Sequence, residues 1–308
     1  MTLLLTRGDL EAVLDPVDCL AALRDGFRAA DAVPVAGQRV RTDLPFPGTA
    51  TALIPGLLPG IEAYTVKVNA KFPGARPALR GVICLHSGRD GELLALLDSA
   101  TVTAWRTGLA AALGTQVLAG PGTVLGVIGA GAQAELMVRG LGVLRQHRAL
   151  VVHDTDGDRA AAFAARHGGR AVASPTEVAA AADIVLLATW SRAPLLSLAD
   201  TREGQHFTSL GADEPGKREL AADLLAASLL VVDDRQLAAT MGALTPAGLD
   251  ADATLGEILR GEHPGRVSAG TRSVYAPVGL PWQDLALAWR AYRRAEREGV
   301  GRRVDLLG

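Results

Sequence analysis

The feature that most constrains the fold is a glycine-rich turn between an apolar strand and a helix. The apolar stretch Val124–Ile128 leads into the turn Gly129-Ala130-Gly131-Ala132-Gln133-Ala134, and a helical segment then runs to Leu144. This is the G-x-G-x-x-G/A fingerprint in the strand–turn–helix context typical of dinucleotide binding. The first glycine permits the tight turn, the second lets the backbone approach a pyrophosphate, and the helix N-terminus favours its charge. We therefore expect Gly129, Ala130, Gly131, Ala132 and Gln133 to bind a cofactor.

An acid at the end of the next strand indicates which dinucleotide is bound. Asp154 follows the apolar stretch Leu150–Val152 and lies 23 residues past Gly131, close to the spacing of the acid that binds ribose hydroxyls in NAD sites. A carboxylate there repels the 2′-phosphate of NADP, so NAD is favoured. Arg159 lies near enough to keep NADP as the less favoured cofactor. The fingerprint also fits FAD, or a glycine-rich turn that binds no ligand.

The alternation of strands and helices predicts the fold class. After the break Gly120-Pro121-Gly122, apolar strands alternate with helical segments, as in a parallel sheet covered on both faces. Before the break, an amphipathic helix over residues 9–30 precedes a meander of short strands, and Ser87–Gly91 is a hairpin signal. A long helix is expected from Trp282 to Arg297.

The expected fold class is therefore α/β, with a Rossmann doubly wound parallel sheet and a second, mixed α/β domain. Residues 120–269 form the expected Rossmann domain. Residues 1–119 form the mixed domain, completed by residues 270–308, because we expect the last helix to pack back on it.

The composition argues against several classes of function. The formal charge is −2 with no long block of one sign, which argues against nucleic acid and anionic membranes as partners. No apolar run reaches the roughly 20 residues of a membrane helix. Residues 1–10 lack the pattern of a signal peptide, so a cytoplasmic protein is the default expectation. No Cys/His cluster with metal-ligand spacing occurs, and no metal is expected.

Four charged residues are candidates for substrate chemistry. The chain has 31 lysines and arginines, of which only Lys67, Lys71 and Lys217 are lysines. Lysine, unlike arginine, can lose its proton when buried, which singles out Lys67 in its apolar strand. Arg41 and Arg106 are candidates because arginine binds carboxylates through two parallel hydrogen bonds. Each of these three also fits a snorkelling or salt-bridged side chain, and composition does not decide.

The fourth candidate is Asp213, which follows a predicted strand at its carboxyl end, where doubly wound sheets bind ligands. It fits a catalytic acid. It also fits a helix N-cap with Pro215 in the first turn.

Taken together, these segments resemble the ornithine cyclodeaminase/mu-crystallin family over nearly the whole chain. The most specific matches are Arg106-Thr107 and the stretch from Gly211 to Lys217. The further matches are Val40-Arg41-Thr42, Ile54-Pro55, Val66-Lys67-Val68, Phe72-Pro73, Leu97-Asp98, the Gly129 turn, Leu255-Gly256-Glu257-Ile258, Gly265-Arg266 and Gly279-Leu280-Pro281-Trp282-Gln283-Asp284.

The resemblance implies an enzyme that oxidises or reduces the α-carbon of an amino or imino acid with NAD(H). It implies a homodimer joined through the mixed domain, which is then a substrate-binding and dimerisation domain. The positions of Arg41, Lys67 and Arg106 are those that hold the substrate carboxylate, and Asp213 is the position that handles protons or water. Lys67 and Asp213 are the expected catalytic residues. Thr189, Arg106 and Thr107 complete the expected cofactor-binding set.

Two departures from the family pattern bear on the substrate. Cyclodeaminases resemble one another in a glutamate two residues before the Met-Pro pair, where this chain has Ala52 before Ile54-Pro55. An alanine does not hold the second ammonium of a diamino acid. Arg76 stands in a stretch where the family commonly has an asparagine after Phe-Pro, and it either selects an additional anionic group or is solvated.

Three functions remain open from the sequence. The first is an amino acid dehydrogenase or imine reductase. The second is an ornithine or lysine cyclodeaminase, a lyase with no net redox change. The third, less favoured because Lys67, Arg106 and Asp213 are all present, is a non-catalytic dinucleotide-binding protein of the crystallin type.

Overall fold

The computed structural model describes residues 1–30, 40–44, 50–72, 79–212 and 216–306. Its strands are β1 (Thr2–Leu5), β2 (Val40–Asp43), β3 (Ala50–Gly56), β4 (Ala63–Lys71), β5 (Leu79–Ser87), β6 (Leu93–Asp98), β7 (Val124–Ile128), β8 (Ala149–His153), β9 (Arg170–Ala171), β10 (Ile184–Leu187), β11 (His206–Ser209), β12 (Leu229–Val232), β13 (Ala253–Thr254), β14 (Ser273–Tyr275) and β15 (Arg302–Val304). Its helices are α1 (Arg7–Val13), α2 (Pro16–Ala29), α3 (Ser99–Leu118), α4 (Ala132–Leu144), α5 (Gly157–His167), α6 (Pro175–Ala181), α7 (Ala222–Ala226), α8 (Arg235–Thr240), α9 (Leu255–Arg260) and α10 (Pro281–Glu298).

The chain forms two compact units, of which the first comprises Met1–Thr107 and Leu280–Gly308. Its seven-stranded sheet has the order β15-β1-β6-β5-β4-β3-β2, antiparallel except where β1 pairs with β6. The predicted hairpin is confirmed, because Ser87–Gly91 connects β5 to its antiparallel neighbour β6. Helix α10 contacts α2 and strands β3, β4 and β5. It therefore packs within the first unit, as expected of the C-terminal helix.

The single helix expected over residues 9–30 is wrong, because two helices lie there. Asp15 accepts hydrogen bonds from the backbone N–H groups of Val17 and Asp18 at 2.9 and 3.1 Å, and Pro16 begins α2. An N-cap followed by proline starts a new helix at that point, since the cap residue itself is extended.

The second unit is Gly108–Gly279 and contains an eight-stranded parallel sheet in the order β13-β12-β14-β11-β10-β7-β8-β9. The strands β7, β10 and β12 are apolar along their length, and all four residues of β10 are buried. Separate apolar clusters around Met137 and Phe163 and around Val178 and Leu224 cover the sheet. The predicted α/β fold class, a Rossmann doubly wound sheet with a mixed α/β unit, is thereby confirmed.

The two compact units do not end where the sequence predicted the domain boundaries, at residues 119/120 and 269/270. Those domain boundaries stay a prediction. The first unit ends inside α3, because Ala111 and Ala112 on its second half belong to the apolar cluster around Met137. The second unit extends to Gly279 because β14, which the sequence did not predict, pairs with β11 and β12. Among the described residues, no helix is long and apolar enough to cross a membrane.

Candidate active site

The glycine turn of the second unit requires its first glycine. Gly129 has a φ of +93°, in the left-handed region where a side chain is strained. A Cβ atom there would lie 2.6 Å from the carbonyl oxygen of Ala188 and 2.9 Å from Cγ2 of Thr189. The turn therefore packs directly against the residues that follow β10, and the two predicted cofactor residues Gly129 and Thr189 lie side by side.

The start of α4 has the features of an anion site. Gly131 is its N-cap, so no side chain caps the first N–H groups, and a Cβ atom on Gly131 would meet nothing within 4 Å. The buried Oε1 of Gln133 has no hydrogen-bond partner among the described residues. Uncapped N–H groups beside open space at a helix N-terminus bind phosphate groups. The residues present therefore fit a dinucleotide pyrophosphate.

Asp154 stands at the end of β8 and braces the glycine turn. Its Oδ2 accepts a hydrogen bond from the Ala130 N–H at 2.8 Å, and its Oδ1 accepts one from the Asp156 N–H at 2.9 Å. Arg159 lies 3.5 Å from Asp154 and 3.2 Å from Asp156. The structure therefore brings Asp154 to the turn, with the guanidinium of Arg159 already paired to two carboxylates.

Glu219 connects the loops after β10 and β11 through hydrogen bonds, a role that its position in the sequence does not predict. The N–H and the hydroxyl of Thr189 both donate to Oε1 of Glu219 at 2.7 Å. The Ser209 hydroxyl and the Gly211 N–H donate to Oε2 at 2.7 and 2.8 Å. Burial raises the pKa of the Glu219 carboxyl, and these four hydrogen bonds oppose that rise.

Asp213 and its neighbours Glu214 and Pro215 lie outside the described residues, as does Arg76. The residues on either side of the Asp213 segment are described, and residues 216–221 form no helix. The capping interpretation therefore also falls on residues outside the described ranges and stays a prediction. The catalytic role of Asp213 stays a prediction.

The first unit brings Lys67 and Arg106 together on a single carboxylate. Lys67 on β4 is 1% exposed, and its Nζ lies 2.5 Å from Oδ2 of Asp284. Nε of Arg106, on α3, lies 3.4 Å from Oδ1 of the same residue without hydrogen-bond geometry. Nη1 of Arg106 donates to Oε1 of Gln283 at 3.3 Å. These three buried groups, Lys67, Arg106 and Asp284, are called the Asp284 cluster below.

The Asp284 cluster retains a buried guanidinium donor that an anion can use. Arg106 Nε and Asp284 Oδ1 both lack a hydrogen-bond partner among the described atoms. A carboxylate is a suitable ligand for Arg106, because it accepts two parallel hydrogen bonds from a guanidinium.

The remaining predicted residues of the first unit lie on β2 and α3. Arg41 lies on β2 and pairs in register with Ala52, while Lys67 pairs with Ile54. Ala52 and Ile54 are two residues apart on β3, so Arg41 and Lys67 occupy neighbouring register positions on the strands that flank β3. Thr107 follows Arg106 on α3 and is half-buried. Arg106 and Thr107 thus belong to the first unit, whereas the rest of the predicted cofactor set belongs to the second.

Asp284 was not assigned a role from the sequence. It lies in the first turn of α10, after Pro281, where an acid is expected simply to complement the helix dipole. The sequence signal that could have identified Asp284 is its apolar neighbours Trp282 and Leu285. They indicate that this end of the helix is buried, and a buried acid needs a partner. Among the described residues, no group of three or more His, Cys, Asp or Glu side chains is arranged to hold a metal ion.

Comparison with known proteins agrees with this arrangement. The family model described as "Ornithine cyclodeaminase/mu-crystallin family" matches residues 2–299. The chain belongs to this family. An alanine dehydrogenase from Archaeoglobus fulgidus is 29% identical over 318 residues, which cover 98% of both chains.

Solved structures of other family members share the fold. An archaeal alanine dehydrogenase dimer with bound NAD superposes with a TM-score of 0.90 at 27% identity, over 99% of both chains. The Δ1-pyrroline-2-carboxylate reductase of Thermococcus litoralis, in complex with NADH and L-proline, gives a TM-score of 0.91 at 28% identity. This match covers 98% of the present chain and 100% of that one. These similar proteins are enzymes that oxidise or reduce amino or imino acids.

Proposed function

We propose that this protein is an NAD(H)-dependent enzyme that transfers a hydride at the α-carbon of an amino or imino acid. The observation that carries the proposal is the Asp284 cluster. Lys67 and Arg106 share the buried carboxylate of Asp284, and Nε of Arg106 has no hydrogen-bond partner among the described atoms. Such a cluster suits the α-carboxylate of an amino or imino acid, the group that alanine and pyrroline-2-carboxylate have in common.

The glycine turn supports NAD as the cofactor. Gly131 and the uncapped start of α4 suit the pyrophosphate, with Ala130, Ala132 and Gln133 around it. Asp154 suits the ribose hydroxyls, because its carboxylate accepts hydrogen bonds and repels a 2′-phosphate. Arg159 is paired with Asp154 and Asp156, which favours NAD over NADP. Thr189, held beside Gly129, and Thr107 complete the proposed set.

The residues of the chain would divide the chemistry between binding and proton transfer. When bound, NAD supplies the acceptor for the hydride that leaves the α-carbon. Lys67, Arg106 and Arg41 bind the substrate carboxylate, and Asp284 fixes the two cations so that the α-carbon has one orientation. The amine loses a proton as its C–N bond becomes an imine, and Asp213 is the proposed acceptor of that proton.

A cyclodeaminase is the second candidate, and one position disfavours it. Ala52 stands opposite Arg41 on one side and Asn69 on the other. A cyclodeaminase must hold the distal ammonium of a diamino acid. Ala52 brings no charge to that register position, and its neighbour Asn69 brings only a neutral amide.

The test follows two products in one reaction. The protein is incubated with NAD and a panel of amino acids, and both NADH absorbance and ammonia are recorded. We expect net NADH together with a keto acid or an imino acid. Ammonia and a cyclic imino acid without net NADH would identify the cyclodeaminase instead. As controls, Lys67→Met and Asp213→Asn abolish turnover and leave NADH binding within about threefold. Active variants would overturn the site assignment.

We also propose that the protein forms a homodimer through the outer face of the seven-stranded sheet. Leu53 and Val68 are cross-strand neighbours on β3 and β4 and are 49% and 39% exposed. Val82 on β5 pairs with Val68 and extends the same apolar row. Contiguous apolar residues on one sheet face mark an interaction surface. A second copy of this chain is the proposed occupant, because the similar archaeal alanine dehydrogenase is a dimer.

A further inference from the structure

The loop after β10 presents an indole to solvent beside the glycine turn. Trp190 is 66% exposed and directly follows Thr189. Thr189 packs against the glycine turn, since a Cβ atom placed on Gly129 would lie 2.9 Å from its Cγ2 atom. An exposed aromatic face gains free energy when the planar ring of a ligand covers it. Its place at the carboxyl end of a central parallel strand is where doubly wound sheets bind ligands.

The Trp190 ring is held in position by a buried cation. Nζ of Lys217 lies 4.3 Å from the centroid of the Trp190 ring, and Lys217 is buried. A desolvated ammonium on an indole face is one of the stronger cation–π arrangements. This contact also gives a role to Lys217, one of the few lysines in an arginine-rich chain.

The backbone around Trp190 is fixed as well. Thr189 donates two hydrogen bonds to Glu219, each 2.7 Å long. On the other side, the Arg218 N–H donates to the Ser191 carbonyl at 2.9 Å, and the Leu195 N–H donates to the Glu219 carbonyl at 2.8 Å. An aromatic side chain on a loop pinned at both ends loses little conformational freedom when a ligand packs on it.

From these contacts we infer that Trp190 is a cofactor-contact residue whose indole packs on a neutral planar ring of the bound dinucleotide. The inference rests on the proposed function, since it presumes that NAD(H) binds the glycine turn. The Lys217 ammonium already lies on the indole and disfavours a second cation, such as the oxidised nicotinamide ring. The rings with the right chemistry are adenine and the reduced nicotinamide.

Calorimetric titration with NADH tests the contact without any turnover. We expect Trp190→Ala to raise the Kd of NADH about tenfold, because stacking on an aromatic side chain contributes about 1–3 kcal/mol per base. Trp190→Phe keeps an aromatic face and stays within about threefold of the wild type. Trp190→Phe keeps a ring face over Lys217 and is expected to leave the melting temperature of the ligand-free protein unchanged, whereas Trp190→Ala also loses the cation–π contact with Lys217 and is expected to lower it slightly. An unchanged Kd in Trp190→Ala would overturn the inference.

The two candidate rings are distinguished by fragments of the cofactor. ADP-ribose carries the adenine alone, and reduced nicotinamide mononucleotide carries the other ring alone. If Trp190→Ala weakens ADP-ribose as much as NADH, the indole packs on adenine; if only the mononucleotide is weakened, it packs on the reduced nicotinamide. Wild-type protein that binds none of these molecules would instead overturn the proposed function itself.

Energy transfer from tryptophan to NADH gives an independent readout. The chain has four tryptophans, and Trp190→Phe is expected to remove the largest share of the fluorescence quenching that NADH causes. Trp289→Phe is the matched control, because it removes a half-buried indole from α10 in the first unit. Equal quenching in the wild type and Trp190→Phe would contradict the contact.

Discussion

At the scale of single residues, two buried acids have opposite surroundings. Asp284 lies against two cations, Lys67 and Arg106, whereas Glu219 accepts from hydroxyl and backbone N–H groups of the described residues. Asp284 therefore sets the charge of a binding cluster. Glu219 sets the positions of two loops.

Removing the charge of Asp284 leaves two buried cations that share no carboxylate. Asp284→Asn is expected to lower the free energy of unfolding by about 3 kcal/mol, in the range for breaking a buried ion pair. Urea denaturation monitored by circular dichroism measures it. Glu298→Gln is the control, since it removes an exposed partner of Arg294 and costs about 0.5 kcal/mol or less. Equal losses in the two variants would show that the cluster is not held by Asp284.

Asn69 is a buried polar residue whose side-chain oxygen accepts no hydrogen bond from the described residues. It is 8% exposed, and its Oδ1 has no hydrogen-bond partner among the described atoms. Asn69→Leu removes that unsatisfied group and is expected to raise the melting temperature, because an orphaned buried acceptor costs about 1–3 kcal/mol. The same variant loses activity if the amide serves the substrate. Differential scanning calorimetry and kcat/KM are measured together; a lower melting temperature would contradict the first expectation.

Contacts between residues that are far apart in the sequence could not be predicted from it. Lys67 and Arg106 were candidates because of their immediate neighbours. Asp284 lies 217 residues from Lys67, and nothing near it in the sequence shows that it is the partner. The glycine turn was accessible because strand, turn and helix are consecutive.

At the scale of elements, the two glycines in the turn between β7 and α4 have different roles. Gly129 is needed for stability, and Gly131 for the proposed cofactor binding. Gly129→Ala strains a left-handed residue and meets the Ala188 carbonyl, so it is expected to destabilise the protein by more than about 1 kcal/mol. Gly131→Ala adds a methyl group to open space and, because alanine is a poorer N-cap than glycine, lowers stability by less than about 1 kcal/mol. It obstructs the approach of a pyrophosphate, so NADH binding weakens at least about tenfold. Thermal unfolding and calorimetric titration of both variants measure the two effects, and unchanged NADH affinity in Gly131→Ala would contradict the proposed site.

A buried histidine makes the stability of β11 depend on pH. His206 lies between the hydroxyls of Ser273 and Thr208 at 2.8 and 2.9 Å, and burial lowers its pKa to about 3. The unfolded chain takes up a proton near pH 6.5, whereas the folded chain does not. Acidification therefore favours unfolding between about pH 6.5 and pH 3, and this group alone removes about 2 kcal/mol between pH 7 and pH 5.

The prediction is tested by comparison with His206→Gln, which keeps a polar side chain but does not titrate in this range. Urea unfolding at pH 7 and pH 5 gives the change in free energy for each protein. We expect the wild type to lose about 2 kcal/mol more than the variant. A wild type that loses no more than the variant would show that His206 is not buried neutral.

Among the elements, length decided what the sequence predicted. Helix α10 and the strands of the parallel sheet around β7 were predicted, because their apolar patterns are long or sit in a regular alternation. Strand β14 has three residues and β1 has four, too few for a periodic signal. Both form strands because they pair with strands that are distant in the sequence, β1 with β6 and β14 with β11.

At the scale of the whole molecule, the proposed homodimer has a direct test. Val68→Asp places a charge in the middle of the exposed row on the seven-stranded sheet, and it is expected to convert the dimer to a monomer. Val143→Asp is the matched control, because Val143 is exposed to a similar degree, 44% against 39%, but lies on α4 in the other unit. Sedimentation equilibrium measures both masses. A dimer that survives Val68→Asp would place the interface elsewhere.

The strand order has a consequence for how the chain is synthesised. β14 lies between β11 and β12, although it follows both in the sequence, and β15 pairs with β1. While the protein emerges from the ribosome, β11 and β12 are exposed with the strand between them still missing, and β1 lacks its neighbour β15. Each sheet is complete only after its last strand, β14 or β15, has left the ribosome. Nascent chains that lack these strands expose unpaired strand edges, which makes them prone to aggregation and to capture by chaperones.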